Sequence, residues 1–89
     1  MAHHKSAIKR HIQSLKRQER NRFYISTMKT FIKRTREALT GENKEQATTV
    51  LRSTTSFIQK VASKGIIHPN KASRLVSRLS GAFNKKFEA

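Results

Sequence analysis

Cysteine is absent from this chain, so no disulfide and no thiolate metal site is available to it. Tryptophan is absent too. Acidic residues number five against twenty Lys and Arg, which excludes the mixed-sign surface of an ordinary soluble domain. The longest apolar run is three residues, Phe23-Tyr24-Ile25. A secretory core needs roughly 7 to 15 apolar residues and a membrane span about 20, so neither is expected. The basic, acid-poor N-terminus imitates an organellar transit peptide in composition only, because it runs without a break into the rest of the chain. With one Pro and three Gly, little interrupts the backbone. No stretch alternates with period two, so no sheet is expected.

What remains is a short, strongly cationic chain. Its 89 residues suffice for one domain spanning 1–89, and a third of them are apolar, many of those Ala. Such a core is thin, and a binding partner is the natural source of added stability. The net charge of +15 opposes compaction unless an anion neutralises it. Nucleic acid is the first class of partner that this balance implies.

Two of the glycines and the proline punctuate the chain. Gly41 and Gly65 stand where helices would end in a left-handed residue. Asn43 reads as an N-cap, with Gln46 three residues on as in a capping box. Pro69 suits a first helical position, and His68 before it marks a boundary. The spacing predicts helices over about 7–40, 44–64 and 69–86. The second carries Ala47, Val50, Leu51, Thr54, Phe57, Ile58 and Val61 on one face. The third carries Ala72, Leu75, Val76, Leu79, Phe83 and Phe87, with Gly81 a weak point inside it. The later half of the first carries Ile25, Met28, Ile32 and Leu39, flanked by Tyr24 and Phe31. The fold expected is all-α: a three-helix bundle with a long, overhanging first helix. The second helix, at about 1.5 Å per residue, is long enough to cover only the later half of the first. In the uncovered half Ile8, Ile12 and Leu15 fall on nearly the opposite side from the core stripe. Either part of helix 3 or a partner must cover them, and without one this half is expected to fray.

The bases form rows. Lys5, Lys9, Lys16 and Arg20 make one on the first half of helix 1, and Arg10 and Arg17 another. Arg22, Lys29, Lys33 and Arg36 make a third on its later half, opposite the core stripe. Lys71, Arg74, Arg78 and Lys85 make a fourth on helix 3. Lys5/Lys9, Lys16/Arg20, Lys29/Lys33 and Arg74/Arg78 are like-charge pairs at i,i+4, a spacing that costs stability unless an anion lies across it. A solvated face is the ordinary meaning of a charge row, but near-total lack of acids argues for nucleic acid. Helix 2, poor in bases, reads as the structural member. A half-helix basic all round suits a crevice between RNA helices better than one face of a straight duplex. Interleaved Ser6, Ser14, Ser26, Thr27, Thr30, Ser73, Ser77 and Ser80 could donate to phosphate or 2′-hydroxyl oxygens. The aromatics fall mainly at core spacing, so no stacking platform is expected.

Three segments resemble one family along the full chain: the N-terminal "MAHHKSAIKRHIQS", the "TMKTFIKRTREAL" stretch, and "ASKGIIHPNKASRLVSRL". They are similar to the bacterial small-subunit ribosomal protein S20 family, whose pattern in the last segment is "KGxIHxNKAARxKSRL". The resemblance implies a primary binder of 16S ribosomal RNA at the foot of the small subunit. Its long first helix is implied to insert among RNA helices of the 5′ domain and near the end of the long penultimate stem. Carried onto matching positions, the implied contacts are Lys5, Lys9 and Arg10 in the first motif and Lys29, Lys33 and Arg34 in the second. The third supplies His68, Asn70, Lys71, Arg74 and Arg78. The chain departs from the pattern at Pro69, at Val76 where a Lys often stands, and in a less basic tail.

The expected partners are 16S ribosomal RNA and the ribosome, with a cytoplasmic, ribosome-bound location. No membrane, small-molecule substrate or homo-oligomer is expected. No enzyme is expected either: the histidines at 3, 4, 11 and 68 have no acid nearby in sequence to orient them, and no carboxylate pair stands out. His3, His4 and His11 lack a thiol or acid to complete a metal site, so no metal or other cofactor is expected. The competing readings are a histone-like DNA-compacting protein, which should show dimerisation signals or a β-arm, and an amphipathic membrane binder. The narrow stripe of Ile8, Ile12 and Leu15 is too slight for strong insertion.

Overall fold

The computed structural model describes residues 2–88, with side chains from residue 4 to residue 88. Its elements are three α-helices: α1 (Ala2–Thr40), α2 (Lys44–Ser63) and α3 (Pro69–Phe87). No strand occurs among the described residues. α1 begins five residues before the first apolar periodicity, since nothing from Ala2 to Ser6 breaks a helix. At about 1.5 Å per residue α1 runs about 58 Å and α2 about 30 Å. The molecule measures 66 × 20 × 13 Å, so its long axis is the first helix.

The turn between α2 and α3 follows from one glycine. Gly65 has φ of 76°, a conformation that costs a side-chain-bearing residue stability. Its N–H donates to the Ala62 carbonyl at 2.9 Å, and the Ile66 N–H reaches back to the Val61 carbonyl at 3.2 Å. These two bonds satisfy carbonyls that the helix end would leave open, and they fold Ile66 and Ile67 onto the core. Gly41 is different from expectation. It has no positive φ, and its N–H returns to the Ala38 carbonyl at 3.2 Å in a three-residue turn. A Cβ there would lie 3.6 Å from that carbonyl oxygen, an ordinary contact, so the backbone does not require glycine at 41.

Both later helices start on side-chain caps. Asn43 Oδ1 accepts the Gln46 N–H at 3.0 Å, the Asn half of the expected capping box. His68 Nδ1 accepts the Asn70 N–H at 3.1 Å, with Pro69 at the first helical position. An exposed ion pair, Lys44 Nζ to Glu88 Oε1 at 2.6 Å, ties the start of α2 to the end of α3.

The core lies between the later half of α1 and the other two helices. Met28, Ile58, Val61, Ile67, Ala72 and Leu79 are buried, with Tyr24, Ile32, Leu51, Phe57, Leu75 and Val76 packed around them. α2 meets both neighbours closely, while α1 and α3 touch least. The face that α1 gives to the bundle is rotated from the apolar stripe. Met28 and Thr35 are buried, whereas Ile25, Ile32 and Leu39 are only half-buried. The cause is what α2 presents: Thr54, also fully buried, lies 2.6 Å from Thr35, oxygen to oxygen. Both hydroxyls also reach the Phe31 carbonyl, at 3.0 and 3.1 Å. The two hydroxyl protons serve two of these three contacts at a time, so each hydroxyl has a partner and the cost of burying it is largely offset.

Candidate nucleic-acid interface

α2 ends near the middle of α1, as Lys64 just beyond it shows by placing Nζ 5.3 Å from the centre of the Tyr24 ring. Every described side chain from residue 4 to residue 20 is exposed. Ile8, Ile12 and Leu15 keep about half of their surface in solvent, so α3 does not cover that stripe. The candidates Lys5, Lys9, Lys16 and Arg20 form one exposed line along this overhang. Arg10 and Arg17, seven residues apart, continue the line of Tyr24 and Phe31 past the end of the bundle, also exposed. Gln13, Lys16, Arg17 and Arg20 together line a shallow hollow there.

On the bundle itself two rows that are remote in sequence come together. Lys29, Lys33 and Arg36 line a groove of about 570 Å³ together with Ile32, Leu75, Thr40 and one acid, Glu37, so this row flanks the core stripe that holds Ile32 instead of opposing it. Leu75 also lines an adjoining hollow bounded by Lys71, Arg74 and Arg78. The sparse contact between α1 and α3 leaves this seam open, with three cations on each bank and aliphatic carbon between. Six cations thus border two hollows that meet at Leu75, with Glu37 the one acid among their lining residues, and this excess concentrates positive potential where a phosphate backbone can lie. Arg22 extends the α1 row toward the overhang.

Arg34 stands apart from these rows. It shares a hollow at the α1–α2 turn with Glu37 and Glu42, a patch of mixed sign. His68 and Asn70 mark the start of α3, and there the His68 Nδ1 lone pair is engaged as a cap. That leaves Nε2 to donate, not accept, toward any ligand. All sixteen candidates are exposed, and among the described residues the one ion pair, Lys44 to Glu88, involves none of them.

The hydroxyls need a correction. Thr27 and Thr30 donate to the carbonyls of Phe23 and Ser26, at 2.8 and 3.1 Å. Their protons are engaged within the helix, so they offer lone pairs to a ribose hydroxyl, not protons to a phosphate. The aromatics need another. Phe23 is 64% exposed and has left the core for the outer surface. The one signal for this in the sequence is the run Phe23-Tyr24-Ile25, whose successive side chains fan over more than half of the helix circumference.

Among the described residues no three His, Cys, Asp or Glu side chains gather to hold a metal ion. The side chain of His3, one of the histidines weighed for a metal site, lies outside the described residues. Among the described residues no helix is long and apolar enough to cross a membrane.

The model of the family described as ribosomal protein S20 matches residues 2–84 of the chain. The small ribosomal subunit protein bS20 of Pelobacter propionicus is 54% identical over 84 residues, which is 94% of this chain and 97% of that protein. The protein of that name from Geobacter sulfurreducens is 51% identical, with the same coverage of both chains. That of Nitratidesulfovibrio vulgaris is 49% identical over 85 residues, covering 96% of this chain and 98% of its own.

Proposed function

We propose, for a chain that belongs to the ribosomal protein S20 family and is thereby a structural constituent of the small ribosomal subunit and not an enzyme, that it binds 16S ribosomal RNA directly through its basic helix faces. The overhanging half of α1 enters a crevice between RNA helices at the foot of the particle. The α1–α3 trough holds a second stretch of backbone, and together the two contacts stabilise the packing of those helices.

The observation that supports this reading is the set of cations without acid partners. Lys5, Lys9, Lys16 and Arg20 line a half-helix whose described side chains are all exposed, and the hollow of Lys29, Lys33 and Arg36 adjoins that of Lys71, Arg74 and Arg78 at Leu75. Charges so placed repel one another until phosphates come between them. An overhang exposed all round meets anionic walls on several sides, which one duplex face does not supply.

The test is a titration of the protein into small-subunit ribosomal RNA at several salt concentrations, with duplex DNA as competitor. Saturation at one site, with strong preference over DNA at moderate salt, is the expected result. Equal binding to both polymers, collapsing together as salt rises, would instead mean a generic polyanion binder of the histone-like kind.

A further inference from the structure

Phe23 is the most exposed large apolar side chain among the described residues, and the phosphate-binding reading does not use it. It is the outermost of four rings in contact. Its centre lies 5.6 Å from that of Tyr24, edge to face at 79°. Tyr24 in turn stacks on Phe57 at 6.1 Å, and Phe57 on Phe31 at 4.9 Å. The outer ring is therefore braced from the core while most of its surface faces solvent. Its position on α1 is also particular. Lys16, Arg20, Phe23 and Thr27 follow one another at intervals of four, three and four residues, along one line of the helix. An aromatic ring thus ends a row of cations, with a hydroxyl lone pair one turn beyond it.

We propose that Phe23 is a stacking site for one unpaired nucleobase of the ribosomal RNA, a reading that rests on direct RNA binding by this protein. The charge beside the ring selects the occupant. A backbone drawn along Lys16 and Arg20 brings its bases to the height of the ring. A second copy of a chain carrying +15 is repelled from the same place. A lone ring also matches the area of one base. Stacking is open to any base, because each has a π-face, so this contact adds affinity without dependence on counterion release.

Because the chain has no Trp, Phe23→Trp introduces a single indole as a reporter. On titration of the full-length variant with small-subunit ribosomal RNA, its emission should be quenched; duplex DNA at equal phosphate concentration, whose bases are paired, should leave it bright. Phe23→Leu should bind that RNA about 5- to 150-fold more weakly with an unchanged salt slope, the range that loss of one stacked base predicts. Both variants should melt as the parent does, since the ring is mainly exposed. Full affinity of Phe23→Leu, or a bright indole at saturation, would overturn the stacking site and leave RNA binding intact. Full affinity on bare RNA but impaired incorporation into the subunit would also overturn it and place a protein neighbour on the ring. Failure of the parent protein to bind the RNA would remove both readings at once.

Discussion

The two halves of α1 share one unbroken backbone and one sign of charge, yet they are helical for different reasons. From Tyr24 to Leu39 the helix is held by what it buries: Met28 and Thr35 against Thr54, Ile58 and Val61. From residue 4 to residue 20 it buries nothing, and it rests on local preference alone, through Ala, Lys, Arg, Gln and Leu without a Gly or Pro. Preference of that kind is marginal in water for a segment of about 17 residues. Order in the overhang is therefore expected to depend on a partner, and order in the bundle is not, an expectation that exchange in the free protein tests.

The sharpest way to separate the halves is amide exchange. In the free protein the amides of residues 5–20 should exchange about a thousandfold or more faster than that of Ile58, which opens only with the bundle. Binding of ribosomal RNA should slow them toward the core value; strong protection without RNA would erase the distinction. Truncation draws the same line. Ile58→Ala should cost about 2–5 kcal/mol in urea unfolding, whereas Ile12→Ala should stay within about 0.5 kcal/mol. Charge reverses the ranking. The triple variant Lys5→Glu, Lys9→Glu and Lys16→Glu should lower affinity for small-subunit RNA roughly a hundredfold or more near 0.1 M salt. It should also lower the salt slope by about three, with the melting temperature unchanged. Undiminished binding by that variant would sink the role given to the overhang. A smaller loss than that of Ile58→Ala belongs to the cap: Asn43→Ala should destabilise the bundle by about 1 kcal/mol and leave RNA affinity as it was.

Much of this architecture was legible because helical spacing and turn chemistry agree. Thr54, Phe57, Ile58 and Val61 fall on one face by period alone, and Gly65 announces the left-handed turn it makes. What was illegible depended on a partner surface. Thr35 reads as neutral in a helix, and only the opposing Thr54 hydroxyl and the Phe31 carbonyl make its burial favourable. Phe23, Tyr24 and Ile25 are equally apolar, and the position of Phe57 decides that Tyr24 turns inward while Phe23 is left outside. The basic rows were visible residue by residue. Their convergence across the α1–α3 seam was not, because it depends on how α3 lies beside α1 in space.

The slender form has a hydrodynamic corollary. A globular domain of this length would have a radius of gyration of about 12 Å, and this one has 17.9 Å. Friction on a rod exceeds that on a sphere of equal mass, so a single 10.2 kDa chain will leave a sizing column early, among heavier spherical standards. Elution volume therefore confuses elongation with dimerisation in this protein, and only a direct weighing of the particle, by light scattering or sedimentation equilibrium, separates them. Small-angle scattering adds a second axis: melting of the overhang alone will change the radius of gyration while the mass stays fixed.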